Sequence, residues 1–157
     1  MNKRSIQERT ITKQLRILFR AVQAHSRTVE KMCGLSSAQL WMLYEVSLSD
    51  GIKVSELATA LSIHRSTSSN MLDKLEKKNL ISRDRSKSDQ RSVHIYITQQ
   101  GKELLAQAPS PPQGQLSNTL TKLTGEQVTN LETSLQVFID TLHFDDVKAS
   151  MTPIQED

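Results

Sequence analysis

The chain has 157 residues with 36% hydrophobic and 24% charged content, enough for one domain with a core or a small lobe plus helical arms. Its single cysteine rules out an internal disulfide framework and suits the cytosol. No apolar run approaches the ~18–20 residues that span a bilayer, and Met1–Gln7 has no apolar stretch of the secretory kind, so a cytoplasmic, non-membrane protein is expected.

Net charge is +3, but its distribution says more. Residues 1–51 carry +4, residues 52–102 carry +5, and residues 103–157 carry −6. A basic first two-thirds with a remote acidic end is the pattern of a polyanion binder.

Residues 5–32 read as one long helix. Ile11, Leu15, Leu18, Val22 and Val29 keep a helical stripe, with Phe19 beside it. Cys33-Gly34-Leu35 breaks it. Ser36 followed three residues later by Gln39 is a capping box for the next helix. Asp50-Gly51 is a turn, and Ile52-Lys53-Val54 can add a minimal strand. Ser55 is placed to cap a helix from Glu56 to about Leu61, with Leu57, Ala58 and Leu61 inward. Ser62-Ile63 forms the turn.

A second helix is predicted from about His64 to Lys78. Ser68, Leu72 and Leu75 face one way; Ser66, Thr67, Asn70, Lys74 and Lys77 face the other. Hydroxyls and amides are weak helix formers. They fit base edges and phosphates in a major groove, or simply a solvated face. Asn79 suits the left-handed helix end. Strands then start at Ile81 and return over Ser92–Ile97, around a tip carrying Arg85, Lys87 and Arg91. A basic two-stranded ribbon directly after a helix-turn-helix makes a winged helix, whose tip can reach a minor groove.

These stretches resemble the MarR family of multiple-antibiotic-resistance-type regulators. Leu75-Glu76-Lys77-Lys78-Asn79-Leu80-Ile81-Ser82-Arg83 is similar to its junction "LE-x-x-G-L-[IV]-x-R". Asp89-Gln90-Arg91, followed by Ile97-Thr98-Gln99-Gln100-Gly101, is similar to its wing signature. Asn79 stands where the family usually has Gly, and Ser68 where an apolar residue is usual. The resemblance implies a mainly α fold with a small β wing: a winged helix-turn-helix lobe over residues 36–101, with dimerisation helices at both chain ends.

After the wing, Thr98 is placed to cap a helix through Leu104, Leu105 and Ala108. Pro109, Pro111 and Pro112 then break a region that is usually one long helix in the family. Helix resumes at about Gln115 to Leu123. Thr124 and Gln127 form another capping box. Val128, Leu131, Leu135, Phe138 and Leu142 make a narrow seam, which suits pairing of residues 5–32 and 115–142 with a second copy. Residues 143–157 read as a frayed acidic tail.

No phosphate loop, nucleophile elbow or metalloprotease motif is present, so no catalytic residues and no cofactor are expected. His25, Glu30 and Cys33 lack clean i, i+4 spacing, so no metal site is assigned. His94 reads as a surface strand residue. Cys33 reads as an inert, partly buried thiol, with an oxidant-sensing role as the alternative.

The expected function is sequence-specific duplex-DNA binding by a homodimeric regulator, a repressor released by a small-molecule effector, on a pseudo-palindromic operator. Ser66, Thr67 and Asn70 are assigned to bases. Arg65, Lys74 and Lys77 are assigned to phosphates or groove edges, with His64 on phosphate. Ser36, Lys53 and Ser55 would bind phosphate near helix starts. Arg85, Lys87 and Arg91 form the wing contact, with Asp89 holding the Arg91 fork. The alternative is a winged-helix module that docks protein, which would not need that cluster of wing cations.

Overall fold

The computed structural model describes residues 2–85 and 91–154. Helix α1 (Lys3–Cys33) starts at Asn2, whose side chain accepts from the Arg4 N–H, and ends at Gly34. Gly34 sits at φ 64° and donates its N–H to the Glu30 carbonyl, a left-handed end that glycine adopts without steric cost. Helix α2 (Ser37–Leu48) opens with the expected capping box. Gln39 N–H donates to Ser36 Oγ at 3.2 Å, and Ser36 N–H donates to Gln39 Oε1 at 3.0 Å.

Strand β1 (Ile52–Lys53) leads into α3 (Val54–Leu61) and then α4 (Arg65–Lys77). The predicted cap at Ser55 is corrected. The helix begins two residues earlier, at Val54, with Lys53 at the N-cap position, and the Glu56 carboxylate accepts from the Lys53 N–H at 2.7 Å. A carboxylate satisfies that orphan donor as well as a hydroxyl and also favours the positive end of the helix dipole. Ser62 takes the left-handed turn at φ 53°. Strands β2 (Ile81–Arg85) and β3 (Val93–Ile97) follow. The sheet is antiparallel in the order β1-β3-β2, with Ile95 of the central strand opposite both Ile52 and Arg83.

The core lies between the sheet and helices α2, α3 and α4. Leu40, Leu43, Leu57, Leu72, Leu75 and Ile95 are fully buried there. Only the second half of α1 joins it, through Val29 and His25.

Helix α5 (Gln99–Gln107) is capped by Thr98, and α6 (Gln115–Leu120) follows the proline-rich break. The restart at Gln115 is as expected, but regular helix stops at Leu120 rather than Leu123. Helix α7 (Gly125–Leu142) opens with the Thr124–Gln127 box at 2.9 and 3.2 Å. Every residue of α7 is exposed. Up to residue 154, the expectation of a frayed end is also corrected, and residues 155–157 lie outside the described residues. A 3-10 turn at Ala149–Met151 returns to the lobe, and the Met151 carbonyl accepts from the His64 N–H at 3.2 Å. No helix of the described residues is long and apolar enough to cross a membrane.

The end of α4, the sheet and the start of α5 meet at one point. Asn79 takes φ 57° and Leu80 turns inward. Thr98 Oγ1 donates to the Asn79 carbonyl at 2.6 Å and accepts from Gly101 N–H at 3.0 Å. Thr98 N–H donates to the Leu80 carbonyl at 3.1 Å. A methyl group on Gly101 would overlap that same carbonyl oxygen and come within 2.8 Å of Ile97 Cγ1. Backbone cannot yield there as a flexible side chain can, so Gly101→Ala is expected to destabilise the fold by about 1–3 kcal/mol. A lowered urea midpoint with unchanged slope is the expected reading; an unchanged midpoint would contradict the close approach.

Candidate nucleic-acid interface

Helix α4 is two-sided. Ser68, Met71, Leu72 and Leu75 are buried, while Arg65, Ser66, Asn70, Lys74 and Lys77 are exposed and Thr67 is half-buried. The Ser68 position, polar on the inner face, is satisfied by its own hydrogen bond: Oγ donates to the Val54 carbonyl at 3.4 Å. A buried hydroxyl without a partner would be costly, so this bond also ties α4 to the start of α3. His64 is the N-cap residue, but its side chain makes no capping bond. The imidazole therefore stands exposed at the helix start.

Ser36, Thr67, Asn70 and Lys74 line one groove of about 470 Å³ between the start of α2 and the outer face of α4. The Ser36 hydroxyl accepts from Gln39 N–H, which leaves its proton free to point outward. Arg65, Ser66 and Lys77 are exposed on α4 but outside that groove. Lys53 and Ser55 are exposed at the β1–α3 junction. Arg85 ends β2 opposite Val93, and Arg91 lies just before β3; both are exposed at the base of the wing tip. Lys87 and Asp89 lie outside the described residues, and so does the expected pairing of Asp89 with Arg91.

Sequence reading missed the residue that fastens the wing to α4. Arg83 on β2 donates through Nη2 to Asp73 Oδ1 at 2.5 Å and to the Ser69 carbonyl at 3.4 Å. Its Nε lies 3.6 Å from Glu76. Asp73 and Glu76 are three residues apart on one helix face, a spacing that could have signalled a shared cation. His94 is another correction. It is half-buried, and its Nδ1 lies 2.8 Å from the Gly51 carbonyl, which can only accept, so that nitrogen carries the proton. The bond fastens the α2–β1 turn to the wing.

A second concavity, of about 240 Å³ and mostly apolar, lies under the lobe. Val22 and His25 of α1, Trp41, Leu61 and Ile63 line it, with Gln113–Ser117 from the proline break and Ser150, Thr152, Pro153 and Ile154 from the chain end. His25 is 9% exposed and its Nε2 has no hydrogen-bond partner. Burial pushes its pKa below the ordinary 6.5. Cys33 is half-buried and burial pushes its thiol pKa up, the opposite of what a reactive thiolate needs. Among the described residues, no group of three His, Cys, Asp or Glu side chains could hold a metal ion.

Two helices joined by a tight turn, followed by a two-stranded wing, define a winged helix-turn-helix protein. Residues 35–93 match the profile of the MarR family. It is 32% identical to the HTH-type transcriptional repressor MdtR of Bacillus subtilis over 55% of this chain and 56% of that protein. It is 34% identical to the organic hydroperoxide resistance transcriptional regulator of the same organism, over 59% of this chain and 61% of that one. The chain thus spans little more than half the length of these curated relatives. The solved structure of the transcriptional repressor CouR bound to a 23-mer DNA duplex superposes with a TM-score of 0.60 at 28% identity, covering 89% of this chain and 98% of that one.

The His25 environment has a consequence for stability. A lowered folded pKa means that the unfolded chain binds the proton more readily once pH falls below 6.5. Stability should therefore be fully present above that value and decline as pH drops from 6.5 toward the lowered folded value. His25→Leu should flatten this part of the pH profile. Denaturation midpoints measured across the acid range will check it, and an equal slope in both proteins would remove His25 as the cause.

Proposed function

We propose that the chain is a homodimeric, sequence-specific DNA-binding transcriptional regulator acting as a repressor. The observation that carries this is the two-sided α4. Its inner face is locked into the core, and its outer face offers Ser66, Thr67 and Asn70 for base edges beside Arg65, Lys74 and Lys77. Ser36, Lys53, Ser55 and His64 then serve phosphates alongside. Arg85 and Arg91 lead the wing toward the minor groove, whose negative potential attracts guanidinium groups. The names of the relatives support the repressor reading, and CouR is itself bound to a duplex.

Dimerisation follows from what the single chain leaves uncovered. On α7, Val128, Leu131, Leu135, Phe138 and Leu142 are 38–59% exposed, and on α1 Ile11, Leu18 and Phe19 are 48–68% exposed. Exposed apolar stripes of this length on two helices fit a partner surface. A second copy with two-fold symmetry would set two α4 helices about one turn of DNA apart, on a pseudo-palindromic site. The cavity over His25, between α1 and the lobe, is where an effector could alter that separation. Leu131→Asp combined with Leu135→Asp should yield monomers or insoluble protein by light scattering. A soluble, well-folded dimer would sink this assignment.

Base reading and backbone binding can be separated within α4. The Asn70 amide can pair with adenine N6 and N7, a contact of about 1–3 kcal/mol in discrimination. The Lys74 ammonium has donors only and a flexible stem, so it serves phosphate. Against duplexes enriched from a random pool and against scrambled ones, Asn70→Ala should lose affinity for the enriched site alone. Lys74→Ala should weaken both by similar factors. A uniform loss for Asn70→Ala, or none, would reject it as a base reader.

A further inference from the structure

The last described residues do something that the regulator reading leaves unused. After α7, residues 149–154 come back to the lobe and sit between its two concavities. The Met151 carbonyl takes the N–H of His64, the N-cap residue of α4, at 3.2 Å. Pro153 and Ile154 then wall the groove that also contains Ser36, Thr67, Asn70 and Lys74. On their other side, Ser150, Thr152, Pro153 and Ile154 wall the cavity over His25.

We propose that residues 149–154 are an intramolecular strap that occupies the DNA-facing groove of α4 and must leave before a duplex can seat there. The proposal rests on the DNA-binding reading above. Seating α4 in a major groove brings base edges within about 3 Å of Asn70 and Thr67. The volume needed is the one that Pro153 and Ile154 border, so strap and duplex exclude each other. The hold is weak enough to release, because it has one backbone hydrogen bond and Ile154 is 62% exposed. The strap lowers the apparent affinity by the fraction of molecules in which the groove is open, so closure in nine of ten molecules weakens binding about tenfold. The strap also walls the His25 cavity, so its release opens both concavities together.

The test compares the intact chain with the full-length double variant Pro153→Ser, Ile154→Ser. Pro153 is half-buried and Ile154 exposed; both border the groove, but neither is itself assigned to DNA. Two quantities are read: the dissociation constant for a duplex enriched from a random pool, and the hydrogen-exchange rate of the His64 amide without DNA. The expected result is binding about threefold to tenfold tighter in the variant, together with faster exchange at His64. Equal or weaker duplex binding by the variant overturns the strap alone. So does a His64 amide that already exchanges freely in the intact chain. Failure of both proteins to bind any duplex overturns the DNA-binding reading and the strap with it.

Discussion

The Leu80 carbonyl oxygen is the point on which the rest of the lobe depends. It accepts the Thr98 N–H, and it lies so close to Gly101 that no β-carbon fits there. Thr98 meanwhile bonds the Asn79 carbonyl and caps α5. One cluster thus closes the end of α4, the base of the wing and the start of α5. These are the residues of the Leu-Glu…Asn-Leu-Ile and Ile-Thr-Gln-Gln-Gly stretches, which lie about twenty positions apart in the chain. Their spacing reflects a single junction in which buried backbone groups must find partners.

Helix α4 needs this support. Its first half, Ser66-Thr67-Ser68-Ser69-Asn70, is poor in helix-forming residues. Its stability comes from burial of Met71, Leu72 and Leu75, from the Ser68–Val54 bond, and from Arg83 reaching across from β2 to Asp73. An outer face chosen for hydrogen bonding is compatible with order only when the inner face and the wing hold the helix. Surface ion pairs contribute at most about 1 kcal/mol. Arg83 is partly buried and also bonds the Ser69 carbonyl, so its main effect is to fix the angle between wing and helix.

The proline break has a structural result that a continuous helix could not produce. With α5 ending at Gln107 and α6 starting at Gln115, the chain turns inward and lays Gln113–Leu116 beside His25. Gly114, at φ 86°, brings backbone to His25: a methyl there would stand 4.0 Å from its Cδ2. The cavity therefore has walls from α1, from the helix-turn-helix, from the break and from the chain end. His25, one of the lining residues, carries a buried nitrogen, Nε2, without a hydrogen-bond partner.

Elements with a strong local signal were legible from the chain alone. The capping boxes at Ser36–Gln39 and Thr124–Gln127, the left-handed Asn79, the Thr98 cap and the inner face of α4 all follow from short-range hydrogen bonding and periodicity. So does the outward set from Ser66 to Lys77, because a helix wheel is decided by spacing alone. What spacing could not decide was which distant groups meet. The start of α3 is a local exception, where the Glu56 carboxylate took the Lys53 N–H three residues back and moved the helix start ahead of Ser55. His94 found the Gly51 carbonyl, 43 positions away, and Arg83 found Asp73. Residues 149–154, without periodic pattern in sequence, are ordered because the His64 N–H and two concavities lie where the chain returns. Local propensity acts over a few residues, whereas these contacts exist only once the core has brought separate elements within hydrogen-bonding range.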